Sequence, residues 1–167
     1  MKKILPFLTI VVIIAIVSII FLSMSNSKQM VVLKENNKEQ IPLEITLGKY
    51  QDSDCGMIIN NLEYVSQVIS NDGKTWFFHD HGGMANWLKD KSFKESAKIW
   101  VMSKDTKKYI DGRTAWYSKT DATPMRYGFG AYEMKQDGFI TFDEMRLKML
   151  RGESLANPFY RKEILGK

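Results

Sequence analysis

The sequence predicts an α+β protein in which an N-terminal transmembrane helix precedes one small exported domain. Three observations lead to this prediction. An apolar run opens the chain, the segment after it reads as strand, turn, strand and helix, and the same order of elements then occurs a second time. With 167 residues, the chain has room for one domain or two very small ones.

The apolar run covers residues 4–22, and no charged residue occurs between Lys3 and Lys28. At ~1.5 Å per residue a helix of this length covers roughly 28 Å, close to the thickness of a bilayer core. Lys2 and Lys3 precede the run, so the positive-inside rule keeps the N-terminus in the cytoplasm. The run is longer than the apolar core of a signal peptide. We therefore expect a retained anchor, 1–27, in the inner membrane and a periplasmic C-terminal domain.

The rest of the chain divides by composition. Small residues at 23–27 offer signal-peptidase sites, so cleavage stays open as an alternative. Residues 28–40 are polar and read as a linker or a weak first strand, 41–152 form the predicted domain, and 153–167 form a polar tail that we expect to be loose. The basic residues are scattered and form no nucleic-acid motif, so we expect no nucleic-acid partner.

The first cycle of elements lies between residues 41 and 93. Apolar and polar residues alternate in "IPLEITLGKY" (41–50), which predicts a strand, and an Asn-Asp-Gly turn within 63–80 predicts a hairpin. Helical spacing of apolar residues predicts a helix over 81–93.

The second cycle repeats this order without repeating the sequence. Residues 97–119 read as two strands around a polar turn, and 130–134 as a short strand. A helix is expected over 141–152, because Thr141 and Glu144 have the spacing of a capping box.

The single cysteine, Cys55, is followed by Met57 in a loop of turn-forming residues. A lone cysteine in an exported protein cannot form an internal disulfide, so it suggests an intermolecular bridge, a reactive thiol or a metal ligand. Thiolate and thioether are soft donors that select Cu(I), and Gly56 allows a tight turn between them. A buried cysteine and a core methionine are the simpler alternative.

The order of several motifs resembles the NosL family, the copper-binding accessory proteins of nitrous oxide reductase. "CGM" (55–57) leads to "YVSQVISNDGKTWFFHD" (64–80), then to a helix carrying "MANWL", to "IWVMSKDTKKYIDGRTAWYSK" (99–119) and to "PMRYGFGAYE" (124–133). The chain departs from the family in having Arg126 after "PM", "FFHDH" in place of an acidic "FFD", and no acylated cysteine.

The resemblance implies a fold of two ββα-type repeats, related to the organomercury-lyase core. It also implies a Cu(I) site made by Cys55, Met57 and Met125. The protein would then be a metallochaperone without enzyme activity that serves nitrous oxide reductase in denitrification. Copper-exporting membrane proteins would supply the metal.

Two further interpretations stay open. His79 and His81 are the only histidines, and on a strand they would share a face, so they are secondary candidates for metal ligands. Their simpler role is to end the strand. The second class of function is a membrane-tethered scaffold that binds a partner protein and no metal. Enzyme chemistry is not expected, because Cys55 has no second thiol for disulfide exchange and no evident orienting group for hydrolysis.

Overall fold

The computed structural model describes residues 4–25 and 30–166. It shows an α+β domain built on a five-stranded antiparallel sheet, which confirms the predicted α+β class. In chain order the elements are α1 (Ile4–Ser25), β1 (Leu33–Lys34), β2 (Ser66–Ile69), β3 (Thr75–Phe78), α2 (His81–Leu88), β4 (Lys98–Met102), β5 (Tyr109–Asp111), β6 (Trp116–Tyr117), β7 (Ala131–Tyr132), α3 (Phe142–Leu150) and α4 (Pro158–Leu165).

The sheet has the strand order β1-β3-β2-β4-β5, with β2 at its centre. Ser66 at the start of β2 lies opposite Phe78 at the end of β3 on one side and Val101 of β4 on the other. All four residues of β2 are buried, as expected for a strand covered on both faces. The end of β3 therefore lies beside the middle of the sheet.

Side-chain alternation divides the core into two layers. Phe78 faces the layer that contains α2, α3 and the small β6–β7 sheet, whereas Phe77 faces a layer covered by the segment before β2. Ile45, Tyr50 and Ile59 of that segment pack in the second layer with Phe77. The loop that carries Cys55 is thus held between two core residues, Tyr50 and Ile59.

Two local predictions are confirmed. The Asn-Asp-Gly turn joins β2 and β3, and Gly73 has φ +83° there, which glycine adopts without strain. Helix α3 begins with the predicted capping box, in which Thr141 and Glu144 each bond the other's backbone N–H.

The prediction of a transmembrane anchor is not upheld. Side chains in α1 are described for residues 8–22, and all of them are exposed. Over the described ranges, 4–25 and 30–166, no helix is both long and apolar enough to cross a membrane. By this finding, the expected single-pass inner-membrane location with a periplasmic domain is wrong.

Other parts of the anchor prediction lie outside the described residues. These are the flanking charges Lys2 and Lys3, the cleavage sites that involve residues 26 and 27, and the first two residues of the linker.

Two segments differ from the sequence-based expectation. The strand predicted over residues 41–50 is absent apart from an isolated bridge at Tyr50. The side chain of Gln67 bonds both the N–H and the C=O of Leu43 and so takes the place of a neighbouring strand. The tail expected to be loose contains α4, which begins at Pro158 with Asn157 as its N-cap.

Candidate metal site

The loop that carries Cys55 is attached to the end of β3. The N–H of Ser53 donates to the carbonyl of Phe77 at 2.7 Å, and the N–H of Phe77 donates to the Ser53 hydroxyl at 3.0 Å. The loop closes on itself through a bond from the N–H of Gly56 to the carbonyl of Asp52 at 3.0 Å. Gly56 has φ +74°, a conformation that favours glycine. The sequence Asp-Ser-Asp-Cys-Gly-Met therefore forms a tight, anchored turn.

The carboxylate of Asp52 organises this turn from the inside. It is buried, and one oxygen accepts the N–H groups of Asp54 at 2.8 Å and Cys55 at 3.1 Å. The other oxygen accepts the backbone N–H of His79 at 2.9 Å and lies 2.6 Å from His79 Nδ1. Burial alone would raise the pKa of Asp52, but the bonds from His79, Asp54 and Cys55 lower it below its ordinary value. The group is an anion whose acceptor positions are already filled.

His79 follows β3 and lies under the loop, 8% exposed. A carboxylate can only accept, so Nδ1 of the ring carries the proton that bonds Asp52. In the neutral ring Nε2 then holds the lone pair, and among the described residues it has no hydrogen-bond partner although it is buried. A buried polar atom without a partner calls for an explanation, and a bound ion is one of the recognised ones.

Cys55 places its thiol beside this ring. The side chain is exposed, and its Sγ lies 3.9 Å from His79 Nδ1. Asp52, Cys55 and His79 each place one potential ligand atom within 4.8 Å of the other two. Partial burial raises the pKa of the Cys55 thiol, Asp52 and Asp54 raise it further, and only the N–H of Met57 lowers it. A thiol of this kind is a poor nucleophile until a metal displaces its proton.

The geometry does not match a Cys-His-Asp catalytic triad. In a triad, the nucleophile and the acid contact different nitrogens of the imidazole, so that a proton can pass across the ring. Here Cys55 and Asp52 both face Nδ1 of His79. This arrangement provides no path for a proton across the ring from the thiol to the carboxylate.

The two predicted methionine ligands lie on different segments near the site. Met57 belongs to the loop itself, is 43% exposed, and its carbonyl accepts the N–H of Asp52 at 2.9 Å. Met125 is half-buried on the segment before β7, and its N–H donates to Asp80, the residue after His79, at 2.9 Å.

The two candidate histidines have separate environments. His79 joins the Cys55 loop, whereas His81 is fully buried and its Nδ1 lies 2.7 Å from the Ser66 hydroxyl. The rings of Tyr64 and Tyr117 meet His81 edge to face. Burial lowers the pKa of His81 to about 3, so the ring is neutral at any physiological pH. The structure therefore brings only one of the two histidines to the thiol.

Sequence reasoning missed Asp52, which it treated as one of several turn formers. The available signal was its position three residues before Cys55, where an aspartate side chain can bond the backbone of the turn that follows. Its bonds to His79, 27 residues away, carry no such local signature.

Comparison with known proteins adds no relative. No family model, no curated protein and no solved structure matches this chain.

Proposed function

We propose that this protein binds one Cu(I) ion at Cys55 and His79 and passes it to an acceptor protein. The observation that carries the proposal is the exposed Cys55 thiol beside the ring of His79, whose buried Nε2 has no hydrogen-bond partner among the described residues. His79 Nδ1 donates to Asp52, so the ring would bind the ion through Nε2, and the carboxylate would fix the orientation of the ring.

The donor set favours Cu(I) over harder ions. Asp52 accepts four hydrogen bonds, two on each oxygen, so its role is to orient the loop and the ring. The remaining donors are the thiolate of Cys55, the imidazole of His79 and the thioethers of Met57 and Met125. Sulfur donors of this kind select Cu(I), whereas Ca²⁺ and Mg²⁺ require oxygen ligands.

The position of the site suits transfer of the metal. Cys55 and Met57 are both exposed, so an incoming ligand of an acceptor protein can reach an ion bound there. That ligand can replace one exposed donor while the other donors still hold the ion. A fully enclosed site would hold the metal but release it slowly.

The resemblance to the NosL family supports one acceptor in particular. We propose that the copper serves assembly of nitrous oxide reductase, and that copper-exporting proteins supply the ion. The motif order from "CGM" at 55–57 to "PMRYGFGAYE" at 124–133 is the support for this client.

The test is an anaerobic titration of the full chain with Cu(I) in the presence of a competing chelator, repeated with Zn²⁺. We expect one Cu(I) per chain and much weaker Zn²⁺ binding, because the carboxylate is already engaged. The loaded protein is then mixed with copper-free nitrous oxide reductase, and copper in the separated reductase is measured.

Three results would contradict the proposal or part of it. Preferential Zn²⁺ binding would show that copper is not the cargo. Tight Cu(I) binding without transfer would remove the reductase as client. A chain that binds the reductase and no metal would favour the scaffold interpretation.

A further inference from the structure

The segment that carries Met125 is docked on the start of α2 by a buried carboxylate. Asp80 is the N-cap of α2, and its Oδ1 accepts the N–H of Gly82 at 2.9 Å. Its Oδ2 accepts the N–H of Met125 at 2.9 Å, and the hydroxyl of Thr123 also bonds the carboxylate. The residue is fully buried, so neither oxygen is satisfied by solvent. One carboxylate thus ties the helix start to the segment that holds the methionine.

A second contact fixes the same segment from the other side. A Cβ added to Gly82 would lie 2.6 to 2.7 Å from Cδ2, Cβ and Cγ of Tyr127. One of these atoms, Cβ, is fixed to the backbone, so no change of rotamer removes the clash and the backbone of the segment would have to move. At Gly83, the next residue, nothing lies within 4 Å of an added Cβ.

The docked segment lies beside His79. The N–H of its Met125 bonds Asp80, which directly follows His79 in the chain. The N–H of Tyr127 in turn donates to the Thr123 hydroxyl at 3.0 Å, which makes 123–127 a compact turn. Met125 is the central residue of that turn.

We propose that Asp80 and Gly82 are positioning residues that hold Met125 where its thioether completes the copper site of Cys55 and His79. This inference rests on the proposed function. The Asp80 carboxylate fixes the distance between α2 and the turn at 123–127. The absence of a side chain at Gly82 allows Tyr127 to approach the helix. Neither residue contacts the metal.

The experiment compares Gly82→Ala with Gly83→Ala in the full chain. Both add one methyl group to α2, but only the first displaces Tyr127 and its segment. We expect Gly82→Ala and Met125→Leu to weaken Cu(I) binding to the same extent, about tenfold or more. X-ray absorption spectra of both variants should show one sulfur ligand fewer on copper than in the native protein. Gly83→Ala should match the native protein.

The double variant separates positioning from a purely structural role. If Gly82 acts through Met125, the variant carrying both changes binds Cu(I) as weakly as either single variant. Losses that add, or a folded Gly82→Ala protein with native affinity and native sulfur count, would overturn the proposal. If Gly82→Ala does not fold, Asp80→Ser is used, because serine keeps the helix cap and is too short to reach Met125.

The failures of the two proposals are distinguishable. Native binding by Met125→Leu would overturn this inference and leave Cu(I) binding at Cys55 and His79 intact. A native protein that does not bind Cu(I) would overturn both.

Discussion

The rim of the domain and its interior each hold one histidine, and the two differ in what surrounds the ring. His79 on the rim lies between the Cys55 thiol and the Asp52 carboxylate. His81 in the interior is enclosed by Ser66 and two tyrosine rings. Each has a buried Nε2 with no partner among the described residues. The same residue type, two positions apart, thus serves a candidate metal site in one case and the core in the other.

The reason lies in the secondary structure at the junction. Strand β3 ends at Phe78 and α2 begins at His81, so the two histidines do not lie on one strand face. The chain turns at Asp80, which caps the helix. Two histidines that are close in the sequence therefore need not bind the same metal, because the secondary structure around them determines which ring lies near the thiol.

The largest effect is expected at the thiol. Cys55→Ser keeps the size of the side chain but replaces the only soft anion with a neutral hydroxyl. Cu(I) affinity should fall by more than about 100-fold, beyond the range for second-sphere changes. The melting temperature should stay close to the native value because Cys55 is exposed. Native affinity in Cys55→Ser would remove the thiol from the site.

The matched pair His79→Leu and His81→Leu tests the comparison directly. We expect His79→Leu to weaken Cu(I) binding by at least about tenfold. His81→Leu should leave the affinity of the folded protein unchanged but lower stability by about 1 to 3 kcal/mol, because the Ser66 hydroxyl loses its buried partner. Chelator competition and chemical denaturation of both variants provide the two readouts. A loss of copper affinity in His81→Leu alone would reverse the assignment.

Acid should destabilise the protein through the interior histidine, His81. The pKa of His81 is lowered from 6.5 to about 3 on folding, so between these values the unfolded chain binds a proton that the native protein does not. Stability therefore falls as the pH is lowered through this window, by about 1.4 kcal/mol per pH unit for one such group. Denaturation between pH 6.5 and 5 measures the slope.

His81→Leu should reduce this slope, since the titrating group is gone. The measurement stops at pH 5 because the raised pKa of Asp80 has the opposite effect on stability as the pH falls further. An equal slope in both proteins would show that His81 is not the group responsible.

The smallest effect is expected at Met57. Its thioether is neutral and exposed, and Met57→Leu leaves Cys55, His79 and Met125 in place. Cu(I) affinity should fall only several-fold, less than in His79→Leu. Met134→Leu is the control, because Met134 is also exposed and its N–H bonds Asp105 instead of the site. A loss of Cu(I) affinity in Met57→Leu as large as that in Cys55→Ser would contradict this arrangement of the ligands.

The sequence predicted the local features of the fold better than the site. The β2–β3 turn and the α3 cap are short-range patterns, and both are present. The pairing of Asp52 with His79 joins a loop to a strand end and could not be read from either segment. Residues 41–46 alternate like a strand, but the side chain of Gln67 satisfies their backbone at Leu43. In both cases, contacts with residues distant in the sequence determine the structure.

The most direct test of the account is nitrogen NMR of the two histidine rings in the full chain, before and after one equivalent of Cu(I). Before copper, the spectra should show His79 protonated at Nδ1, as its bond to Asp52 requires, and His81 neutral. After copper, a ring nitrogen of His79 should shift strongly while both nitrogens of His81 keep their positions. Unchanged His79 signals with copper bound, or a shift at His81, would contradict the claim that Cys55 and His79 form the site.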